Sequence, residues 1–122
     1  MSLTCRGLRG ATTIKENTRE AILEATTELL NNLIDANNLD KNDVAATFFT
    51  TTSDVNAEFP AVAARQMGWA NVPLINSHEM DVPGSLPMCI RIMLLVNTNK
   101  KPEEMNHAYL REATNLRPDI TG

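Results

Sequence analysis

The stretch MCIRIMLLVN, residues 88–97, is the most apolar part of the chain and decides how the fold is interpreted. Its apolar residues follow one another without helical spacing, which is typical of a strand buried on both faces. Arg91 is the single charged residue within it. The stretch is far shorter than the roughly 20 residues that cross a bilayer. We therefore predict a central strand of a sheet and no membrane span.

Four further strands are predicted from β-branched and aromatic content or from the lack of a helical face. They fall at residues 3–12, 44–52 (VAATFFTTT), 69–75 and 109–116. Gly7 and Gly10 weaken the first strand of the chain, and Pro73 interrupts the short third one. Residues 76–86 are predicted as a loop, and the last segment as a strand or a hairpin after a short helical piece.

Two helices are predicted from spacing and capping. Asn17 followed three residues later by Glu20 resembles a capping box. Apolar positions then recur every three or four residues, at Ile22, Thr26, Leu29, Leu30, Leu33 and Ile34. We expect this helix to end near residues 37–38, because asparagine tolerates a left-handed backbone. A second helix is predicted over residues 60–68, because proline suits a first helical turn.

This order of elements predicts an α+β fold, in which helices pack on one face of a mixed β-sheet. The other face of such a sheet is left to be covered. Small domains commonly bury such a face against copies of themselves, so we expect a homo-oligomer. With 122 residues, the chain fits a single domain over residues 1–122.

The net charge and the two cysteines indicate which partners and which cellular compartment to expect. Eleven Lys and Arg against fifteen Asp and Glu give a net charge of -4, which makes nucleic acid an unexpected partner. Cys5 and Cys89 lie far apart without metal or redox spacing, and the opening residues lack the apolar run of a secretory signal. We therefore expect a cytoplasmic protein in a reducing compartment.

The motifs of most enzyme classes are absent. His78 and His107 are the only histidines, and neither lies in a recognisable catalytic or metal-ligating motif. The five glycines do not form a phosphate-binding loop. These observations lower the probability of hydrolytic, metal-dependent and redox chemistry, and we expect no cofactor.

Arginine is placed where arginine is costly. A guanidinium in the middle of the apolar strand, at Arg91, is expected to be buried among its strand neighbours, and must then be paired or face a polar cavity. An internal ion pair with Glu79 or Asp81 and a site for an external anion are equally good interpretations. Arg6 and Arg9 lie three apart, so a strand without a bulge puts them on opposite faces, one of them as a surface charge.

Several strings occur in an order that resembles a known family. They run from residue 6 to residue 119 and read RGLRGATT (6–13), FPA (59–61), AR (64–65), GW (68–69), VP (72–73), EMDV (79–82), CIR (89–91), HAYL (107–110) and LRPD (116–119). Together they resemble the monofunctional chorismate mutases of the trimeric Bacillus type, the AroH class.

The resemblance implies a ferredoxin-like topology and a trimeric pseudo-α/β-barrel with three active sites at subunit interfaces. It implies conversion of chorismate to prephenate, in the biosynthesis of phenylalanine and tyrosine, by a concerted [3,3] rearrangement. Such a reaction needs no nucleophile, metal or redox cofactor, which agrees with the missing motifs. The protein contributes by holding the reactive conformer and by stabilising charge that develops in the transition state.

The resemblance also implies roles for individual residues. Arg91 would lie at the ether oxygen, Arg9 would bind a substrate carboxylate, and Glu79 would accept a hydrogen bond from the ring hydroxyl. Further substrate-binding positions would be Tyr109 at a carboxylate, Phe59 on the ring from the adjacent subunit, Arg65 near the pocket mouth, Asn76 beside Glu79, and Leu116 and Arg117 in a segment that closes the pocket. Without the resemblance, Tyr109 and Phe59 would be read as core or interface aromatics, and Arg65 and Arg117 as surface charges.

Two departures from the family pattern bear on substrate affinity. Val62 stands where relatives carry a lysine, and Asn76 stands where one carries a cysteine. Two other functions remain open at this point. An imine or enamine deaminase on a similar trimer would also bind a carboxylate with an arginine, and a non-catalytic regulatory module would bind a small anion without turnover.

Overall fold

The computed structural model describes residues 3–116. Its strands are β1 (Thr4–Thr13), β2 (Val44–Thr51), β3 (Leu74–His78), β4 (Cys89–Thr98) and β5 (Ala108–Tyr109). Its α-helices are α1 (Arg19–Asn37) and α2 (Ala61–Gln66), and short 3-10 turns occur at Lys41–Asp43, Pro102–Glu104 and Arg111–Asn115. Within these residues no helix combines the length and the apolar character that crossing a bilayer would require.

The strands form one mixed sheet in the order β3-β2-β4-β1-β5. The strand quoted first from the sequence, now β4, lies at its centre and runs antiparallel to both β1 and β2. The two edge strands are parallel to their neighbours, β3 to β2 and β5 to β1. Because β1 and β2 are parallel with β4 between them, β1, α1 and β2 form the split β-α-β unit of a ferredoxin-like topology. The α+β prediction is confirmed.

Both helices pack on the same face of this sheet. Leu29, Leu30 and Leu33 of α1 are fully buried. They join one core cluster with Ala61 and Ala64 of α2 and with strand side chains, among them Leu8, Phe49, Ile92 and Leu94. Because successive strand residues point to opposite faces, the alternate positions form a second face, which no helix within residues 3–116 covers. We call it the open face.

The caps of α1 differ in part from the prediction. Thr18, and not Asn17, is the N-cap, since its hydroxyl accepts a hydrogen bond from the backbone N–H of Ala21 at 3.1 Å. The amide oxygen of Asn17 accepts instead from the backbone of Asn56 and Ala57, which fastens the loop before α2. The expected left-handed C-terminal residue is confirmed at Asn38, with φ of 51°.

Three predicted boundaries were wrong. The third strand begins after Pro73, whose carbonyl accepts from Thr47 at 2.9 Å, and it extends to His78 through residues predicted as loop. Residues 69–72 form a turn instead, with Trp69 buried in the core. The last strand ends at Tyr109, because Arg111 adopts a left-handed φ of 55° and a 3-10 turn follows.

Gly10 allows α1 to approach β1 closely. A Cβ at this position would lie 3.0 Å from Cδ1 of Leu33 and 3.1 Å from Cδ1 of Leu29. Both leucines are fully buried and have little room to move. At Gly7, on the open face of the same strand, a Cβ would meet only the flexible Sδ of Met93 at 3.3 Å.

We therefore predict that Gly10→Ala lowers the free energy of unfolding by about 1–3 kcal/mol through overpacking. The matched variant Gly7→Ala should leave it unchanged or raise it slightly, since alanine restricts the unfolded chain. Urea denaturation followed by circular dichroism measures both. Equal stability of the two variants would contradict the close approach at Gly10.

Candidate active site

Four of the side chains assigned by resemblance surround one depression on the open face. Arg9 comes from β1, Arg91 from β4 and Tyr109 from β5, while Glu79 directly follows β3. The depression has a volume of about 250 Å³. Its remaining walls are Gly10, Ala11, Phe48, Thr50, Ile92 and Met93. The sheet order thus gathers residues from four separate parts of the chain.

Arg91 extends onto the open face between two small neighbours. It pairs across the sheet with Ala11 of β1 and with Thr50 of β2. Because neither side chain is long enough to cover a guanidinium, 42% of the Arg91 side chain is exposed in the single chain. The expectation of an arginine buried among its strand neighbours was wrong, since those that are fully packed, Ile90 and Ile92, point to the helix face.

Arg91 is paired, but loosely. Its Nε lies 3.6 Å from Oε2 of Glu79, which is longer than a hydrogen bond. The Nε atom is buried and has no hydrogen-bond partner among the described residues. An ion pair between side chains this exposed contributes little to stability, about 0–1 kcal/mol. The pair therefore leaves the guanidinium able to bind an external anion.

Both the backbone and the carboxylate of Glu79 are held by hydrogen bonds to the main chain. The backbone N–H of Glu79 donates to the carbonyl of Thr51 at 2.8 Å, which extends the pairing of β3 with β2 by one residue. Its Oε1 accepts from the backbone N–H of Met80 at 2.9 Å, and Oε2 faces Arg91. One carboxylate oxygen is thus fixed by the chain, and the other is directed toward the depression.

A small buried cluster supports the depression from below. It consists of Ala11, Cys89, Tyr109 and Ala113, with Leu86 and Leu116 packed against it. Burial raises the pKa of the Cys89 thiol, and the nearby charge of Arg91 opposes this effect only in part. Leu116 packs against the cluster that contains Tyr109 and does not itself line the depression, whereas Arg117 falls outside the described residues.

Within one chain, Phe59, Arg65 and Asn76 lie away from this depression. Phe59 and Asn76 border a second depression of about 280 Å³ near the start of α2. Asn76 points to the helix-bearing face, where its Oδ1 accepts from the backbone N–H of Ala61 at 3.1 Å, so it does not lie beside Glu79 of the same chain. The Phe59 side chain is largely exposed, and Arg65 is exposed on α2.

One contact of the site was missed from the sequence. The ring of His107 accepts a hydrogen bond from the backbone N–H of Arg9. The only signal for it was the position of His107 two residues before Tyr109. Among residues 3–116, no group of three or more His, Cys, Asp or Glu side chains is placed to hold a metal ion.

Known proteins resemble this chain both in sequence and in overall fold. The chorismate mutase AroH of Thermus thermophilus is 49% identical over 116 residues, covering 94% of this chain and 95% of the relative. The chorismate mutase AroH of Bacillus subtilis is 42% identical over 117 residues, covering 95% and 92%. A solved chorismate mutase from Clostridium thermocellum superposes with a TM-score of 0.89 at 44% identity, covering 90% of this chain and 98% of that one.

The model of the family described as chorismate mutase type I matches residues 5–120, which is nearly the whole chain. The strings that suggested the family from sequence lie inside this range. The chain therefore belongs to the chorismate mutase type I family.

Proposed function

We propose that this isomerase converts chorismate to prephenate at a site that neighbouring subunits of a homotrimer build together. Its family membership supports the reaction. The observation that carries the assignment of residues is the Arg91 guanidinium, which faces the depression with a buried Nε that no described residue satisfies. A deaminase or a non-catalytic anion-binding module finds no support in the comparisons.

The reaction determines what the protein has to supply. In the [3,3] rearrangement the ether C–O bond breaks as a new C–C bond forms, within one molecule and without an external electron pair. The ether oxygen gains negative charge as its bond breaks. A cation fixed near that oxygen binds the transition state more tightly than the ground state, which raises kcat. In this proposal Arg91 is that cation.

The other side chains of the depression fit the remaining groups of the substrate. Chorismate carries two carboxylates and a ring hydroxyl. Arg9 and Tyr109 form the carboxylate-binding part of the site through a guanidinium and a phenol. Glu79, whose carboxylate is fixed by the backbone N–H of Met80, accepts the hydrogen bond of the ring hydroxyl. These contacts hold the substrate in its reactive conformer.

The open face supports a second contribution from a neighbouring subunit. Phe48 and Ile75 lie on this face and are exposed in the single chain, as are Met80 and Val82 in the loop after β3. Apolar side chains gathered in this way favour association. In the proposed homotrimer, Phe59, Arg65 and Asn76 of the adjacent subunit reach the depression, and Leu116 and Arg117 help to close it.

Several parts of the interpretation stay predictions. They are the absence of any cofactor, a cytoplasmic location, and a single domain over residues 1–122. For the first, treatment with a chelator followed by gel filtration should leave turnover of chorismate intact.

Val62 and Asn76, where relatives carry other residues, bear on affinity in this proposal and leave the reaction type unchanged.

Replacement of Arg91 tests its charge directly. Citrulline keeps the planar shape, the Nε–H donor and one terminal NH2 group of arginine but is neutral, so kcat should fall by more than about 10²–10³-fold while KM changes less. Arg91→Lys keeps the charge without the planar fork and should retain part of the rate. Chorismate loss is followed by absorbance, and light scattering checks that the protein stays assembled.

Arg6→Lys provides a matched control on the opposite face of the sheet. Arg6 donates its Nε–H to the carbonyl of Lys100 and lies away from the depression. This variant should turn chorismate over at the normal rate. If Arg91→Ala did the same, or if it only unfolded the protein while the citrulline form remained active, Arg91 would be a structural ion-pair partner.

Complementation tests the shared site. Light scattering should give about three times the chain mass of 13.5 kDa. Arg91→Ala and the double variant Phe59→Ala/Arg65→Ala should each be nearly inactive alone. After the two are refolded together, about one quarter of random interfaces should combine both intact halves and recover activity. No recovery, or a fully active monomer, would mean that each chain builds its site alone.

The thiol beneath the site should take no part in the reaction. Because burial raises the pKa of Cys89, its reactive thiolate form is disfavoured. In Cys5→Ser, which leaves Cys89 as the only thiol, a thiol reagent at about pH 8 should label the protein only after guanidinium is added. Turnover should equal that of the unmodified protein. Rapid native labelling with loss of turnover would instead place a reactive thiolate in the site.

A further inference from the structure

His107 lies directly before β5, beside the backbone of β1. Its ring nitrogen Nδ1 accepts a hydrogen bond from the backbone N–H of Arg9 at 2.9 Å. At the other end of β5, the N–H of Leu110 donates to the carbonyl of Ala11, also at 2.9 Å. Between these two bonds β5 pairs with β1 over two residues only. The imidazole therefore takes the place of a backbone carbonyl at the first rung of the parallel ladder.

This short ladder sets the distance between Arg9 and Tyr109. The two residues come from opposite ends of the chain, and both border the depression on the open face. Since β5 contains only Ala108 and Tyr109, each hydrogen bond to β1 contributes substantially to holding β5 against β1. Removing the acceptor would also leave the N–H of Arg9 without its partner in a partly buried position, which is costly. A shift of β5 would relieve that cost and move Tyr109 relative to Arg9.

We propose that His107 is a positioning residue, whose neutral imidazole holds the backbone of Arg9 and thereby fixes Arg9 and Tyr109 as a pair that binds a substrate carboxylate. The proposal rests on the proposed function, because it takes these two residues as the carboxylate-binding part of the site. His107 itself touches no reacting atom. Its effect is on substrate binding in the ground state and the transition state alike.

The role requires a particular protonation state. Nδ1 can accept a hydrogen bond only while it carries no proton, so the proton of the neutral ring must be on Nε2. Protonation of Nδ1 would set two donors against each other. The depression beside the ring is lined by Cys5, Arg6 and Arg9 of β1 as its titratable or charged groups, and by Met93, Pro102 and Met105 from the other elements.

The segment that carries His107 has an anchor of its own. The N–H of Asn106 donates to Oδ1 of Asn37 in α1 at 2.8 Å, and Nδ2 of Asn37 donates to the carbonyl of Asn106 at 2.9 Å. Removing the imidazole therefore leaves the chain attached to the core one residue earlier. We expect His107 variants to fold and assemble.

Kinetics of two variants separate positioning from general packing. His107→Ala removes the acceptor, and KM for chorismate should rise about 5- to 10-fold, as expected for the loss of one hydrogen bond. The value of kcat should change less than about twofold, because the lost contact acts equally on ground state and transition state. His107→Asn places Oδ1, which like Nδ1 is bonded directly to Cγ, where it can accept the same hydrogen bond, and should restore most of the affinity.

A measurement that needs no variant or turnover completes the test. Nitrogen-15 shifts of the His107 ring should show Nδ1 unprotonated at neutral pH, and exchange of the Arg9 amide hydrogen should be slow. Provided that the unmodified protein turns chorismate over, any of three results would overturn the proposal. These are a proton on Nδ1, an unchanged KM in His107→Ala, and equal impairment of the Ala and Asn variants. If the unmodified protein did not turn chorismate over, the proposed function would fail instead.

Discussion

The antiparallel pairing of β4 with both β1 and β2 is the constraint on which the rest of this structure depends. Because side chains alternate along a strand, that register sorts the residues of three strands into two sets. Leu8, Phe49, Ile92 and Leu94 face the helices and form the core. Arg9, Phe48, Arg91 and Met93 face the other way and form the candidate site. A slip of one residue in any of these strands would exchange the two sets.

On the open face, the charges of Arg91 and Glu79 are only weakly paired within a single chain. Arg91 has a carboxylate nearby, yet the distance is too long for a hydrogen bond and both side chains are partly exposed. Full burial of such a pair would cost several kcal/mol of desolvation per ion. A dianionic substrate that enters the depression, together with a subunit that covers it, would remove water from charges that already have complementary partners. In the proposed homotrimer, binding and assembly would thus strengthen the same interactions.

The sequence alone predicted helix α1 and the strands at residues 44–52 and 88–97, because local residue patterns decide those elements. It failed where a single backbone group decides the outcome. Pro73 lies at the end of a turn, directly before β3, and does not interrupt a strand. The left-handed backbone of Arg111 prevents β5 from continuing. Arg9, Glu79 and Arg91 were first singled out by the placement of charge in the sequence, and the family-like strings then assigned their proposed roles. The bond from Arg9 to His107 could not be found in this way, because it depends on which strands become neighbours.

The alternation along β4 has a consequence for how the protein tolerates change. Ile90 and Ile92 are core residues on either side of Arg91, so one short length of backbone serves the hydrophobic core and the candidate site at once. A substitution that alters core volume there shifts the strand, and with it the guanidinium. With Arg91 in its proposed catalytic role, stability and catalytic power are therefore not independent traits. Selection for a more tightly packed core would act on the position of Arg91 as well, which restricts the substitutions that can accumulate in β4.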